Sequence, residues 1–283
     1  MPSSNAGNSG RFAGLMYHEV GGMPARGPER RLSPHYVVET AAFEAQMAAL
    51  HAARVRTLSL SEVLAGEVSG PATLVTFDDG LEGNLHNALP VLQRHAQRAT
   101  VFVAVGFVGS EGHLDWEGLR ALVAGGVEVH SHTWSHRPLQ TLVDAEVRDE
   151  LRRSRRDLED GLGVPVFAAS FPHGSFDART VRIAAEEGYR LLCTSEARLN
   201  RAHAPGEGAG TGPMLVGRFA MTSSMTVRQF ERLVAGQALA VLPVRSGQLA
   251  RKTVKRLIGI QTYRRLYRLV FGIREPEHPV PHA

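Results

Sequence analysis

The chain has a single cysteine among its 283 residues, so it can form neither an internal disulfide nor a cysteine-based metal site. It also lacks a run of about 18 consecutive apolar residues, the length that a membrane-spanning helix needs. The polar first residues, MPSSNAGNSGRFAG, contain no apolar stretch of the kind found in secretory signals. These absences favour a cytoplasmic protein.

The positive charge of the chain is local. The formal net charge is +4, but residues 251–274 hold eight Lys or Arg and no Asp or Glu. The body of the protein is therefore net negative, and we expect no nucleic-acid partner. A helical projection of residues 251–274 separates basic from apolar side chains on either side of Gly259, which predicts two short amphipathic helices. They could pack against the rest of the protein, or contact anionic lipid peripherally at the inner membrane face.

Apolar runs alternate with helix-like segments along most of the chain. The predicted strands are 13–18, 72–77, 99–105, 127–132, 166–171, 189–195 and 214–219. The predicted helices are 39–53, 87–96, 115–126, 144–163 and 177–188. Several strand segments are apolar without alternation, which is typical of parallel strands buried on both faces. The pattern predicts βα units in a barrel or a doubly wound sheet, interrupted by a surface loop at residues 200–213.

Three polar motifs stand at the ends of predicted strands. They are TFDDG (76–80), HSHTWSH (130–136) and SFPHG (170–174). Because functional sites of parallel βα folds form where the carboxyl ends of the strands gather, we expect these motifs to meet. Taken alone, the Asp-Asp-Gly step fits an ordinary strand exit equally well, since Asp and Gly are turn formers.

The contents of the motifs suit a divalent metal ion. One carboxylate and two imidazoles give a three-ligand site with room for water. His132 and His136 are four residues apart, and we expect them on one side of a helical turn just past the strand. His130 alternates with His132 on the strand, so one of the two should be a ligand and the other packed or paired elsewhere.

In this order, TFDDG, HTWSH and the PxG strand end resemble the polysaccharide deacetylase family, also called the NodB-homology or carbohydrate esterase family 4 domain. The resemblance covers residues 12–235. It implies a distorted, incomplete (β/α) barrel of about seven strands that removes N-acetyl groups from a saccharide with one divalent metal ion. We expect Zn²⁺, with Co²⁺ or Ni²⁺ as alternatives. The resemblance also implies Asp78 as the general base and Asp79, His132 and His136 as metal ligands.

The chain departs from the family pattern in its later motifs. Ser170 stands where the family has an Arg that steadies the catalytic Asp, and the usual late motif with the acid histidine is not recognisable. The segment LMYHEV (15–20) resembles the first strand of the poly-N-acetylglucosamine deacetylases, whose motif order is circularly permuted. This implies His18 as the general acid, against the alternative of a strand-end histidine with a local hydrogen bond. Arg218 is the candidate for the missing Arg, against the alternative of a surface arginine.

We therefore predict a deacetylase domain at residues 12–240, between a disordered segment at 1–11 and a basic helical tail at 241–283. Its substrate is predicted to be a saccharide or glycolipid that contains N-acetylhexosamine. The side chains expected to contact the substrate are Trp134, Phe171, Pro172 and His173. Two other interpretations stay open: a hydrolase of a non-sugar amide on the same fold, and a non-catalytic saccharide-binding relative.

Overall fold

The computed structural model of this protein describes residues 10–22, 32–202 and 212–236, and strands alternate with helices through these ranges. The strands are β1 (Arg11–Tyr17), β2 (Glu19–Val20), β3 (Val37–Val38), β4 (Arg56–Leu58), β5 (Ala72–Phe77), β6 (Thr100–Val103), β7 (Glu128–Ser131), β8 (Ala168–Ser170), β9 (Leu191–Thr194), β10 (Leu199–Arg201), β11 (Met214–Gly217) and β12 (Phe219–Ala220). The α-helices are α1 (Thr40–Ala52), α2 (Leu60–Ala65), α3 (Leu89–Arg94), α4 (Trp116–Ala124), α5 (Asp144–Leu162), α6 (Ala178–Glu186) and α7 (Val227–Val234).

The main sheet is a barrel that its last strands close. The strands pair in the order β10-β1-β5-β6-β7-β8-β9-β11, and all pairs are parallel except β10 with β1. Only Arg218 separates β11 from β12, and these two short strands pair with β9 and β1 respectively. They join the two edges of the sheet into a nearly closed barrel. If β11 and β12 are taken as one strand, the parallel part of this order has seven strands. The incomplete (β/α) barrel of about seven strands that the resemblance implied is therefore confirmed.

The wall of the barrel separates two apolar clusters. Along β5, Val75 and Phe77 pack with Phe43 and Met47 of α1 in the larger cluster, between the barrel and its helices. Leu74 lies on the opposite face of the strand, as alternation requires, and belongs to a smaller cluster inside the barrel. Other members of the inner cluster are Phe12, Phe102, Ala168, Leu191, Cys193 and Val216. The same alternation points Thr76 and Asp78 inward, at the carboxyl end of the strands.

Helix α2 lies at the opposite end of the barrel. Ser59 and Glu62 form a reciprocal capping box at its start, and the Leu60 backbone N–H donates to Glu128 Oε2 at 2.6 Å. Leu60 and Val63 join the inner cluster, so this short helix covers the amino ends of the strands. Helix α2 was not predicted, although the Ser-x-x-Glu pattern at its start is a helix signal.

Several segments differ from the sequence predictions. Residues 200 and 201 belong to β10 rather than to a surface loop, because they pair with the start of β1. Strand β1 already begins at Arg11, inside the segment predicted to be disordered. The tail at 241–283, including the basic segment 251–274, lies outside the described residues. Within the described ranges, no helix combines the length and low polarity needed to cross a bilayer.

Candidate active site

Both carboxylates of the TFDDG motif reach the same site because the chain turns sharply between them. Asp78 continues β5, and its backbone N–H donates to the Tyr17 carbonyl at 3.0 Å. Asp79 then adopts a left-handed backbone conformation with φ of 78°, which is uncommon for a non-glycine residue and clusters at functional sites. Gly80 follows with φ of 78° and faces Val103 closely, where a Cβ would lie 3.3 Å from a methyl group.

Asp79, His132 and His136 form a cluster that fits a divalent metal ion. Asp79 Oδ1 lies 3.4 Å from His132 Nε2 and 3.3 Å from His136 Nε2. Tetrahedral zinc with bonds of about 2.0–2.1 Å holds its ligand atoms about 3.3–3.4 Å apart. Asp79 Oδ1 is also buried and accepts no hydrogen bond from the residues that the structure describes. Among those residues this is the one group of His, Cys, Asp and Glu spaced for a metal.

The two histidines are brought together by a loop rather than by the helical turn that their spacing predicted. Thr133 and His136 have φ of 65° and 59°, which a right-handed helix cannot contain, yet the two imidazole centroids lie 4.9 Å apart. The prediction of a helical turn is therefore wrong. His132 Nδ1 lies 3.0 Å from the Ser170 carbonyl, and donation there leaves Nε2 free to bind a metal.

Arg218 holds Asp78 inside the barrel. The guanidinium spans the carboxylate, with Nη1 2.7 Å from Oδ1 and Nη2 2.9 Å from Oδ2. The remaining N–H groups donate to the Thr194 carbonyl, Thr76 Oγ1 and Ser170 Oγ at 3.2, 2.9 and 2.6 Å. All five donors of the guanidinium therefore have acceptors. Arg218 is 1% exposed, so the alternative of a surface arginine is wrong.

Small residues make room for this arginine. A Cβ at Gly14 on β1 would lie 2.7 Å from the Gly217 carbonyl and 3.0 Å from Arg218 Cγ. On the other side, Ser170 stands where the family carries its own Arg, and its hydroxyl also donates to Asp78 Oδ2 at 3.3 Å. Ser170 is a site residue that the sequence identified only as a departure from the family pattern.

The surroundings set the protonation of the site. Burial alone would raise the pKa of Asp78, but the charges of Arg218 and then His132 hold that pKa below its ordinary value. Burial likewise opposes ionisation of Asp79, yet the neighbouring His136 holds its pKa well below the usual range. Burial lowers the pKa of His132 to about 4. At neutral pH the site therefore contains two carboxylates and a neutral His132, the forms that a metal ligand set needs.

His18 directly follows β1, level with Asp78, which directly follows the paired strand β5. Its carbonyl accepts a hydrogen bond from Asn84 Nδ2 at 2.8 Å, and its ring packs 4.8 Å from that of Tyr36. Its Nδ1 is buried and has no hydrogen-bond partner within the described ranges. His18 is also among the groups whose charge contributes to the lowered pKa of Asp78 and of Asp79.

The four side chains predicted to contact substrate lie in different environments. Phe171 and Pro172 are buried, and Phe171 stacks on Phe176 within the outer core, at a centroid distance of 5.2 Å. His173 is exposed, and its ring lies 4.7 Å from that of His136. Trp134 is half-buried, with Arg153 Cζ 3.7 Å above its ring. Of these four side chains, His173 and Trp134 are accessible, and the ring of His173 is the one that lies against the metal cluster, at His136.

Comparison with known proteins identifies the family. Residues 65–192 match the family model of polysaccharide deacetylase. YxkH of Bacillus subtilis is 28% identical over 188 residues, which cover 64% of this chain and 63% of YxkH. The chitooligosaccharide deacetylase of Bradyrhizobium is 38% identical over 93 residues, 32% of this chain and 41% of that protein. The chain thus spans less than two thirds of the length of these relatives.

Solved structures confirm the fold. IcaB from Ammonifex degensii superimposes with a TM-score of 0.64 at 24% identity, over 81% of this chain and 97% of IcaB. The family-model match at residues 65–192 and the named relatives, together with this shared fold, show that the chain contains a polysaccharide deacetylase domain of the NodB-homology type, as its motifs predicted. The family is generally metal-dependent, and this chain has a cluster that could hold the ion.

Proposed function

We propose that this protein is a metal-dependent N-deacetylase that acts on saccharides containing N-acetylhexosamine. The observation that carries the proposal is the meeting of a three-residue metal cluster with a separate, buried Asp78–Arg218 pair at the carboxyl end of the barrel. A relative that is named for deacetylation of chitooligosaccharide supports the substrate class.

Asp79, His132 and His136 would hold the ion. A divalent cation bound there supplies a Lewis acid for the acetamide carbonyl and lowers the pKa of water toward about 7. Asp78 then acts as the general base, because its carboxylate is ionised and 4.0 Å from His132 Nε2, at the edge of the metal cluster. Arg218 keeps that carboxylate ionised and fixes its orientation through two hydrogen bonds.

His18 supplies the proton that the leaving group needs. Water adds to the acetamide carbon as Asp78 takes its proton, and the C–N bond then breaks with proton transfer from His18 to the amine nitrogen. The products are acetate and a free amino sugar. The position of His18 directly after β1, level with Asp78 after the paired strand β5, supports this role.

The test is acetate release from N-acetylglucosamine oligomers, measured with zinc-loaded protein. Asp78→Asn should abolish turnover but retain zinc, because Asp79 is the carboxylate ligand. His136→Ala should lose both, whereas the exposed His86→Ala should lose neither. Wild-type protein that binds no divalent ion, or an Asp78→Asn variant that keeps its turnover, would contradict the proposal.

The same assay separates the other interpretations. Release of acetate from small non-sugar acetamides, without release from oligomers, would favour the hydrolase of a non-sugar amide. Binding of oligomers with no release of acetate by the metal-loaded protein would favour the non-catalytic relative. A glycolipid substrate and the lipid contact of residues 251–274 stay predictions from the sequence.

A further inference from the structure

Helix α5 places polar side chains where a helix packed on a barrel ordinarily places apolar ones. Its buried face includes Val147, Leu151 and Leu158, as expected, but also Glu150 and Ser154. Glu150 is 7% exposed and Ser154 is fully buried. A buried carboxylate is costly unless it accepts several hydrogen bonds, so the partners of Glu150 indicate why it is there.

Those partners belong to the loop that joins the two metal-cluster histidines. Glu150 Oε2 accepts hydrogen bonds from the backbone N–H groups of Trp134 and Ser135 at 3.0 and 2.8 Å. Glu150 Oε1 accepts a third from the Ser135 hydroxyl. One buried carboxylate thus takes three donors from two consecutive residues between His132 and His136.

Two further contacts between the loop and α5 lie on the same face of the helix. The Thr133 N–H donates to Ser131 Oγ at 3.0 Å, and that oxygen lies 2.6 Å from Ser154 Oγ. The Trp134 indole N–H donates to Asp157 Oδ2 at 3.2 Å. Positions 150, 154 and 157 follow the spacing of one helical face.

The loop needs this support because its backbone is unfavourable on its own. Thr133 and His136 are both in the left-handed region, which L-residues adopt only where surrounding structure over-determines them. If residues 133–135 relaxed, His136 would swing away from Asp79, since the chain direction at His136 depends on that conformation. The separation of 3.3 Å between His136 Nε2 and Asp79 Oδ1 therefore depends on α5.

We propose that Glu150 is a positioning residue that sets the metal affinity of the site by holding residues 133–135. The hydrogen bonds of Glu150 go to Trp134 and Ser135, so it acts on the ligands through the loop that joins them. The proposal rests on the proposed function in one respect only, that these three residues bind a divalent ion.

The experiment is a zinc titration of the metal-free protein in competition with a chromophoric chelator. Loss of an outer hydrogen-bond partner of a metal site typically weakens affinity about 10–100-fold, and we expect Glu150→Gln to fall in this range. The matched control is Asp149→Asn, which removes the same charge from the neighbouring exposed position of α5 and should leave the zinc dissociation constant unchanged. Circular dichroism of the metal-free variants checks that each is folded.

The outcomes separate this proposal from the metal assignment itself. If wild-type protein binds no zinc, or His136→Ala binds it normally, the proposed function fails first. If His136→Ala loses zinc while folded Glu150→Gln keeps the wild-type dissociation constant, only the role of Glu150 is overturned, whatever happens to its melting temperature. Should Glu150→Gln not fold, Ser135→Ala decides: it removes only the hydroxyl donor, and unchanged zinc affinity in that variant would overturn the proposal.

Discussion

Buried polar side chains occur in two layers inside the barrel, and the two layers differ in how those side chains are hydrogen-bonded. In the upper layer, at the carboxyl ends of the strands, Asp78, Ser170 and Arg218 satisfy one another. In the layer beneath, His130 packs 4.4 Å from the Phe167 ring and 6.3 Å from that of Phe102. Neither of its ring nitrogens has a hydrogen-bond partner in the part of the chain that the structure describes.

The contrast is sharpest between His130 and His132, which are two residues apart and each 2% exposed. Burial lowers the pKa of His132 to about 4 and that of His130 to about 3. His132 faces Asp78, Asp79 and the Ser170 carbonyl, whereas His130 faces rings and aliphatic groups. The two imidazoles are thus equally buried, and their neighbouring groups determine which of them could bind a metal or a substrate.

The largest expected effect concerns the chemistry of the upper layer. His18→Ala should lower kcat for deacetylation about 10²–10⁴-fold, the range typical of a lost general acid. Zinc content should stay unchanged, because His18 is not among the three residues of the metal cluster. The control is His86→Ala, which removes an exposed histidine. Wild-type kcat in His18→Ala would remove His18 from the mechanism and leave the histidine with a structural role.

The second effect concerns the ion pair that defines the upper layer. Arg218→Met leaves Asp78 buried without its cation, and breaking a buried pair in this way typically costs about 3–5 kcal/mol of unfolding free energy. Denaturant titration of the metal-free protein measures it. Asp78→Asn combined with Arg218→Met should lose less than Arg218→Met alone, since no uncompensated charge remains. A single variant within about 0.5 kcal/mol of wild type, as for surface substitutions, would contradict the pairing.

The third effect concerns Gly14, whose missing side chain leaves space for Arg218 in the upper layer. Gly14→Ala would push a methyl group into the Gly217 carbonyl and Arg218 Cγ. Overpacking of this kind costs about 1–3 kcal/mol. Gly22→Ala is the control, because a Cβ there meets nothing within 4 Å. Equal melting temperatures for the two variants would show that Arg218 does not depend on Gly14.

The smallest effect tests the lower layer. His130→Leu removes two buried polar atoms that lack partners, and should raise the unfolding free energy by about 1 kcal/mol. The comparison is His132→Leu, which should abolish zinc binding, whereas His130→Leu should bind zinc like wild type. If His130→Leu is instead less stable than wild type, the ring nitrogens of His130 must have hydrogen-bond partners, such as an internal water. The two layers would then not differ in hydrogen bonding.

The sequence predicted which residues gather at the site better than it predicted the backbone conformation that positions them. Strand β5 was predicted with its observed bounds, and the structure brings together Asp79, His132 and His136, which the motifs predicted as ligands. The left-handed backbone at Asp79 and His136 could not be predicted, because it depends on tertiary support. Glu150 was missed because it occupies an apolar-face position of α5, between Val147 and Leu151. A carboxylate on the apolar face of a predicted helix is the signal that could have found it.

The pairing of Asp78 with Arg218 was visible in the sequence only as a candidate. The two residues are 140 positions apart, and their contact depends on how β11 and β12 join the edges of the sheet. Local patterns predict strands, but not which strand closes a barrel. For the same reason the sequence could not choose between a paired and a surface arginine.

Because Arg218 lies between β11 and β12, it also determines when the Asp78–Arg218 pair can form during folding. A chain made from its amino terminus contains the Asp78 carboxylate long before the Arg218 guanidinium, so this ion pair can form only when β11 and β12 dock. Arg218, which lies where the barrel wall closes, is also the partner of the proposed general base. Catalytic competence would then arise at the same step as barrel closure, and the activity of a newly made chain would report that its final strands have reached their places.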